Sequence, residues 1–373
     1  MVLDRICLSH FRNHADSEIT GTARFNLLIG ENGAGKTNVL EAISLLAPGR
    51  GLRRAALSDM AMNFAANGFA VSAELYPGAA EFRPGAEPVH IGTGTLPDRP
   101  GRRVVQINGA DSPAMALGEW LGLFWLTPAM DRLFMDSPGS RRRFIDRMVL
   151  ALEPAHARHA SRYEAALRER ARLLFDAGDP DPRWLDALEG QLAEAGVEVA
   201  AARMRLIERL GTAIAAMPPS PFARPALSYR AGGPTTVPAL AQALADSRRR
   251  DRAAQRSLIG PHRDELVVTL AAKNQPAAEC STGEQKAMLI AITLAHCSLA
   301  DDQADTGAAP RARVLLLDEV AAHLDPLRRE ALFEQLRGGP AQVWITGTEA
   351  APFAAIRDEA ACWNVDNGAV ARK

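Results

Sequence analysis

Gly30-Glu31-Asn32-Gly33-Ala34-Gly35-Lys36-Thr37 has the form G-x-x-x-x-G-K-T. That spacing suits the binding of nucleotide phosphates. Gly30, Gly33 and Gly35 let the backbone curl with its N–H groups pointing inward at phosphate oxygens. Lys36 reaches the β- and γ-phosphates, and the Thr37 hydroxyl binds Mg²⁺. Glu31, Asn32 and Ala34 complete the candidate loop. A second stretch, Val314-Leu315-Leu316-Leu317-Asp318-Glu319, is apolar and ends in two acids. Beside such a loop Asp318 suits Mg²⁺, and Glu319 would orient or deprotonate an attacking water. Lys36 and Glu319 are therefore the candidate catalytic residues, with Thr37 and Asp318 the candidate metal ligands. Plainer readings exist for both stretches. A Gly-rich turn can match the first pattern by chance, and buried strands often end in acids.

The elements that must position these residues can be read around them. Phe25 to Ile29 is a short apolar run that predicts a buried strand. After the loop, Val39, Leu40, Ile43 and Leu46 have helical spacing, so a helix N-terminus faces the phosphates. Residues 1–24 read as strand, turn and strand, with Phe11-Arg12-Asn13 at the turn. Phe69 to Leu75 and Arg103 to Ile107 are strand-like. Pro77 to Pro100, rich in Pro and Gly, reads as loop or a poorly ordered hairpin. Leu121 to Leu126 is an apolar run that Thr127-Pro128 breaks. Ser137-Pro138 is an N-cap with Pro at the first helical position, which leaves Arg141, Arg142 and Arg143 unexplained. Residues 147–216 predict two long helices joined at Gly178 to Pro182, their Arg and Glu residues forming solvated faces. Pro218, Pro219, Pro221 and Pro225 read as a stiff linker. Arg248, Arg249, Arg250, Arg252 and Arg256 form a second basic cluster. Gly260-Pro261-His262-Arg263-Asp264 is a turn before a strand at Leu266 to Leu270. Ser281-Thr282-Gly283-Glu284-Gln285-Lys286 opens a helix, and Ser281 with Glu284 makes a capping box. Gln342 to Ile345 reads as the last strand.

The chain has 373 residues, 47% hydrophobic, with a net charge of −1. That is enough for a large core, and global charge announces no nucleic-acid partner. No apolar run is long enough for a transmembrane helix, and Met1 to His10 do not resemble a signal peptide. Cys7, Cys280, Cys297 and Cys362 lie far apart, with neither C-x-x-C nor zinc spacing, so four reduced thiols in a cytoplasmic protein are expected. His262 has no second His at ligand spacing, so no His-based metal site is expected.

The order of motifs adds what none of them carries alone. Phosphate loop, long insertion, S-T-G-E-Q-K, acidic strand, then His323-Leu324-Asp325 is the order of an ABC-type ATPase. There the S-x-G motif, here Ser281 and Gly283, presents a hydroxyl, N–H groups and a helix N-terminus to ATP held by another subunit. Most ABC enzymes carry a His after the last strand; here Thr346-Gly347-Thr348 stands instead, so slow hydrolysis is expected. With Leu8-Ser9-His10-Phe11-Arg12-Asn13, Ser137-Pro138 followed by Arg141-Arg142-Arg143-Phe144-Ile145-Asp146, and Gly260-Pro261-His262-Arg263-Asp264, the chain resembles the RecF family, DNA-repair ATPases related to Rad50 and SMC heads.

The resemblance implies an α/β ABC-type P-loop ATPase head. Lobe I has a mixed β-sheet with helices, and a mostly helical lobe II carries a short antiparallel arm. The expected division is 1–126 and 258–373 for the ATPase parts, the latter with the signature and acidic strand, and 127–257 for lobe II. It further implies weak, DNA-stimulated ATP hydrolysis with Mg²⁺, ATP-dependent homodimers and binding to single- and double-stranded DNA. The implied role is to help RecO and RecR load RecA at gaps, in recombinational repair, replication restart and the SOS response. Glu319 departs from relatives with a second Asp there, but keeps a carboxylate. Arg141 to Arg143 and Arg248 to Arg250 are the candidate DNA contacts; Arg12, Arg50 and Arg53 could touch nucleotide, DNA or water. An ABC-type ATPase acting on protein partners, in transport or translation, is the competing reading. A single head with an inserted arm fits a transporter poorly, and one P-loop fits a two-headed translation factor poorly.

Overall fold

Runs of apolar residues too short for helices become buried parallel strands when both faces are covered. Four such runs, and a fifth strand that alternates buried with more exposed residues, form the centre of one sheet in this computed structural model, which describes residues 1–62, 68–77, 87–175, 181–218, 220–300 and 311–373. They are Phe25–Ile29 (β3), Leu121–Leu126 (β8), Ala312–Leu317 (β12), Gln342–Gly347 (β13) and Ala360–Asp366 (β14). The sheet order is β15-β14-β3-β13-β12-β8, with Ala369–Arg372 (β15) antiparallel at one edge. All five residues of β3 are buried, and β3 pairs in parallel with both β13 and β14. Gln342 therefore does not begin the last strand. Two more follow it, joined by a turn at Asn367-Gly368, a tight-turn dipeptide.

A second sheet is antiparallel, in the order β2-β1-β4-β5-β6-β7. It consists of Val2–Phe11 (β1), His14–Ile19 (β2), Ala70–Tyr76 (β4), Val89–Leu96 (β5), Arg99–Ile107 (β6) and Ala110–Asp111 (β7). The expectation of a loop or poorly ordered hairpin over Pro77 to Pro100 is thus corrected in part. Residues 89–96 pair with 99–107 as an ordered hairpin, and 78–86 lie outside the described residues. The hairpin's regular pairing was hidden because Gly92, Gly94 and Pro100 sit inside it. Gly94 leaves no room for a side chain, since a Cβ would lie 2.2 Å from the Phe69 carbonyl oxygen. Leu3, Ile6 and Leu8 from β1, and Val39, Leu40 and Ile43 from the helix Lys36–Leu45 (α1), share one apolar core with Leu28, Leu316 and Trp344. Burying each of the larger side chains contributes roughly 1.5–3 kcal/mol. The short helix Leu57–Met60 (α2) closes the turn below Arg12.

The chain divides into two compact units: residues 1–130, 220–222 and 293–373, and residues 131–219 and 223–292. The second contains Pro138–Leu152 (α3), His156–Phe175 (α4), Pro182–Ala216 (α5) and Val237–Ala254 (α6). It also holds a three-stranded antiparallel sheet of Pro225–Arg230 (β9), Glu265–Leu270 (β10) and Gln275–Pro276 (β11). Among the described residues two helices remain, Thr282–Ser298 (α7), which passes from the second unit to the first, and Pro326–Gly338 (α8) in the first. The Ser281 motif thus belongs to the second unit, whereas the expected division grouped it with the C-terminal part. Pro225 opens a strand instead of ending a linker, a position where its missing N–H is tolerated.

Two expectations over 147–216 change. The helix entering this region ends at Leu152, and Pro154 separates it from α4. More important, the charges are not all solvated. Arg170 is fully buried and pairs with Glu189 at 2.8 Å and Asp251 at 2.7 Å. Arg203 pairs with Asp146 and Asp264, each at 2.8 Å. Helical spacing places these residues on core-facing stripes, where only paired charges are tolerated.

Candidate functional site

β3 ends at Ile29, and the chain turns through Gly30 to Thr37 into α1. A Cβ on Gly30 would lie 2.1 Å from the Val365 carbonyl oxygen, so only glycine fits. Gly33 and Gly35 have φ of 85° and 117°, in the left-handed region that glycine adopts without strain. Neighbouring segments grip the loop. Asn13 Nδ2 donates to the Ala34 carbonyl at 3.0 Å and Asn13 Oδ1 accepts from Asn38 at 2.7 Å. His14 lies between Ser17 and the Gly35 carbonyl, and the Gly368 N–H donates to Ala34 O at 2.9 Å. Lys36 is almost fully buried, its ammonium donating to the Gly30 and Glu31 carbonyls at 2.7 Å each. Burial lowers its pKa, opposed by the nearby charges of Glu319 and Asp318.

The acids meet this loop directly. Thr37 Oγ1 donates to Asp318 Oδ1 at 2.9 Å, and Thr346 Oγ1 donates to the same oxygen at 2.8 Å. The Glu319 N–H donates to Thr346 Oγ1 at 2.9 Å. Among the described residues the half-buried Glu319 carboxylate has no hydrogen-bond partner. The Thr37 hydroxyl and Asp318 carboxylate form the oxygen donor set that a hard cation such as Mg²⁺ takes. The loop is open at Gly33, where a Cβ would meet nothing within 4 Å. The residues therefore fit a magnesium nucleotide.

Arg12 and Arg53 are tied to the loop's own helix. The Arg12 guanidinium makes two bonds of 2.9 Å to the fully buried carboxylate of Glu41, and Arg53 makes a third at 2.9 Å. Arg53 also donates to Asn38 at 2.6 Å. At the other end of α1, half-buried Arg103 donates to the carbonyls of Leu45, Ala47 and Gly49. A cation there complements the helix C-terminus, although burial lowers Arg103 to a pKa of about 10. Sequence reasoning singled out Arg12, Asn13 and Arg53 without assigning roles, and missed the roles of His14, Glu41, Arg103 and Gly368. The Asn367-Gly368 dipeptide was a signal for the last; nothing in the spacing flags the others.

In the second unit the capping box forms as expected. Ser281 N–H donates to Glu284 Oε2 at 2.9 Å, Ser281 Oγ donates to it at 2.8 Å, and the Glu284 N–H returns to Ser281 Oγ at 3.3 Å. Hydrogen bonds from Lys273 and from Ser281 bring the Glu284 carboxyl down to about 2. Gly283 has open space where a Cβ would stand.

Four of the six candidate DNA-contacting arginines are engaged within the chain. Arg141 pairs with Glu265 at 2.6 Å, Arg142 donates to the Asp264 carbonyl at 2.9 Å, and Arg143 to Ser140 Oγ at 2.8 Å. Arg248 binds Asp186 and Glu189. Arg249 and Arg250 are exposed. The S-P-x-x-R-R and G-P-H-R-D stretches therefore meet each other. Arg203 joins Asp146 of the first to Asp264 of the second, and His262 Nδ1 accepts from the Tyr163 hydroxyl at 2.7 Å.

Comparison with known proteins gives the family and the fold. The family described as RecF/RecN/SMC N terminal domain matches residues 2–368. Proteins named DNA replication and repair protein RecF are similar along the whole chain. That of Mesorhizobium japonicum is 44% identical over 99% of this chain and 97% of its own length, and that of Brucella suis 45% over 98% and 94%. Among solved structures, the recombination mediator protein RecF–ATPrS of the RecFOR pathway superposes with a TM-score of 0.82 at 22% identity, covering 99% of this chain and 97% of that one. An Smc head domain from Pyrococcus furiosus superposes with 0.51 at 18% identity, covering 100% and 96%. The fold is that of an ABC-type head, and the chain belongs to the RecF family.

Proposed function

We propose that the chain is an ATP-dependent DNA-binding protein of recombinational repair and replication restart, acting in the cytoplasm as an ATP-gated dimer. The observation that carries the nucleotide half is the convergence of Lys36, Thr37, Asp318 and Glu319 around one glycine loop. Relatives named for DNA replication and repair support the other half. No helix among the described residues is long and apolar enough to cross a membrane.

In this reading Lys36 exchanges its two carbonyl partners for phosphate oxygens, and the loop N–H groups bind the same phosphates. Thr37 and Asp318 hold Mg²⁺, which neutralises charge on the phosphates. The unpartnered Glu319 carboxylate orients water for attack. Ser281 and Gly283 of a second copy cap that ATP through the start of α7, which requires Ser281 to release Glu284. Without a switch imidazole, hydrolysis is weak and DNA-stimulated. The dimer binds single- and double-stranded DNA and works with RecR and RecO to place RecA at gaps, inducing the SOS response. Exposed Arg249 and Arg250 are the best placed of the candidate DNA contacts.

The test is anisotropy of a labelled duplex with a single-stranded tail, with and without Mg-ATP. We expect binding that needs ATP and is lost in Lys36→Met. DNA binding that ignores ATP would remove the gating. No DNA binding at all, with ATP still hydrolysed, would move an ABC-type ATPase acting on protein partners to the front.

A further inference from the structure

The strand end Thr346-Gly347-Thr348 is where the motif order calls for an imidazole and the chain supplies none. The packing explains why none fits next to Thr346. A Cβ on Gly347 would lie 2.5 Å from the buried ring of Phe353. The Gly347 carbonyl meanwhile accepts from the Gly30 N–H at 3.2 Å, which fastens this strand end to the start of the phosphate loop. Thr348 is exposed.

Thr346 is fully buried. A hydroxyl has one hydrogen and two lone pairs, and the neighbours orient this one. Its hydrogen goes to Asp318 Oδ1 at 2.8 Å, and its oxygen accepts the Glu319 N–H at 2.9 Å. One hydroxyl thus joins the side chain of the first acid to the backbone of the second. Glu319 has φ of 53°, a left-handed conformation uncommon for a residue with a side chain. The bond from its N–H pins the backbone at that point, and so sets where its carboxylate begins.

We propose that Thr346 is the positioning residue of the acidic pair. Its hydroxyl fixes the Asp318 rotamer together with Thr37, and fixes the turn that aims Glu319. The role replaces a switch imidazole with a rigid relay that touches neither phosphate nor water. It rests on the ATPase reading above. Thr346→Val is nearly the same shape but removes both hydrogen bonds. It leaves the Glu319 N–H without its partner and Asp318 held only by Thr37. Lys36 and the loop backbone do not depend on Thr346, so nucleotide binding survives while turnover falls.

The experiment compares wild type with Thr346→Val and Thr346→Ser. Three quantities are measured: fluorescent-ATP affinity in EDTA, kcat and KM with Mg-ATP, and the melting temperature of the nucleotide-free protein. We expect Thr346→Val to lower kcat about 10- to 100-fold, the equivalent of one or two lost buried hydrogen bonds. Its KM and its affinity in EDTA should stay near the wild-type values, and Thr346→Ser should recover most of kcat. Wild-type kcat in Thr346→Val overturns the proposal. So does a serine variant as slow as the valine one, or a valine variant whose EDTA affinity falls as far as its kcat. If the valine variant does not fold, Thr346→Cys keeps the shape with a weak donor. An intermediate kcat supports the relay and an unchanged one sinks it. Wild-type protein without any turnover that Glu319→Gln abolishes would instead overturn the ATPase reading, and the inference with it.

Discussion

Both compact units bury charge, but the phosphate loop of the first and the helical core of the second handle it in opposite ways. In the second unit each buried ion is saturated by others. Arg170 binds Glu189, Asp251, Ser257 and the Leu244 carbonyl, and Arg203 binds Asp146, Asp264 and the Pro261 carbonyl. Burial pushes the Asp146 carboxyl up, yet hydrogen bonds from His156 and Arg203 bring it down to about 2. In the first unit, the loop is held by amides, hydroxyls and backbone carbonyls, while Lys36 and Glu319 have no ion-pair partner among the described residues. Saturated charge stiffens a core and offers a ligand nothing. Charge with spare capacity, on a scaffold braced by neutral groups, is what a binding site needs.

That contrast can be broken or sharpened by substitution. Glu319→Gln should have the largest effect, lowering kcat by roughly 10²–10⁴ while ATP binding and melting temperature stay near wild type. Normal turnover, read by phosphate release, would show that the unpartnered carboxylate is not the base. Arg170→Met should do the reverse. It leaves Glu189 and Asp251 short of a partner and should cost about 3–5 kcal/mol in urea unfolding, with ATP affinity kept in the folded fraction. A loss below about 1 kcal/mol would mean the network behaves like surface pairs.

A smaller effect is expected from Arg249→Glu with Arg250→Glu. The slope of log affinity for DNA against log salt should become shallower by about 0.9 for each phosphate the protein no longer neutralises, with stability unchanged. An unchanged slope returns both residues to the solvated surface. The smallest effect concerns pH. Burial lowers His262 and His14 from the ordinary 6.5. The unfolded chain then binds those protons first, so stability is present above pH 6.5 and declines as pH falls through the lowered folded values. His262→Gln should flatten that decline in urea midpoints between pH 7 and pH 5.5, and an unchanged profile would assign the slope to other groups.

How much of this was legible beforehand depended on whether the signal was local. The phosphate loop is local, since Gly30 to Thr37 are contiguous and each has its reason within the segment. The strands before and after it, the capping box of Ser281 and Glu284, and the acidic strand end were readable for the same cause. The Val89–Leu96 strand was only half legible, as one side of a loop or poorly ordered hairpin, because its glycines look like loop residues until the Phe69 backbone is seen packed against Gly94. The basic clusters were only partly readable for a related reason. Charge is visible in a sequence, but the partner that neutralises it is not. Arg141 meets Glu265, and Arg248 meets Glu189, across 124 and 59 positions.

The sequence therefore carries the chemistry it can do, the family it belongs to and the strands and helices that present the loop. Those follow from short-range rules of spacing, period and capping. Which charges remain available was settled by packing, because pairing is a property of distance in space. Thr346 is the sharpest case. In the sequence it is one threonine at the end of a strand; in the fold its single hydroxyl joins Asp318 to Glu319, with Thr37 on the same oxygen, and the ring of Phe353 excludes a side chain at the neighbouring position.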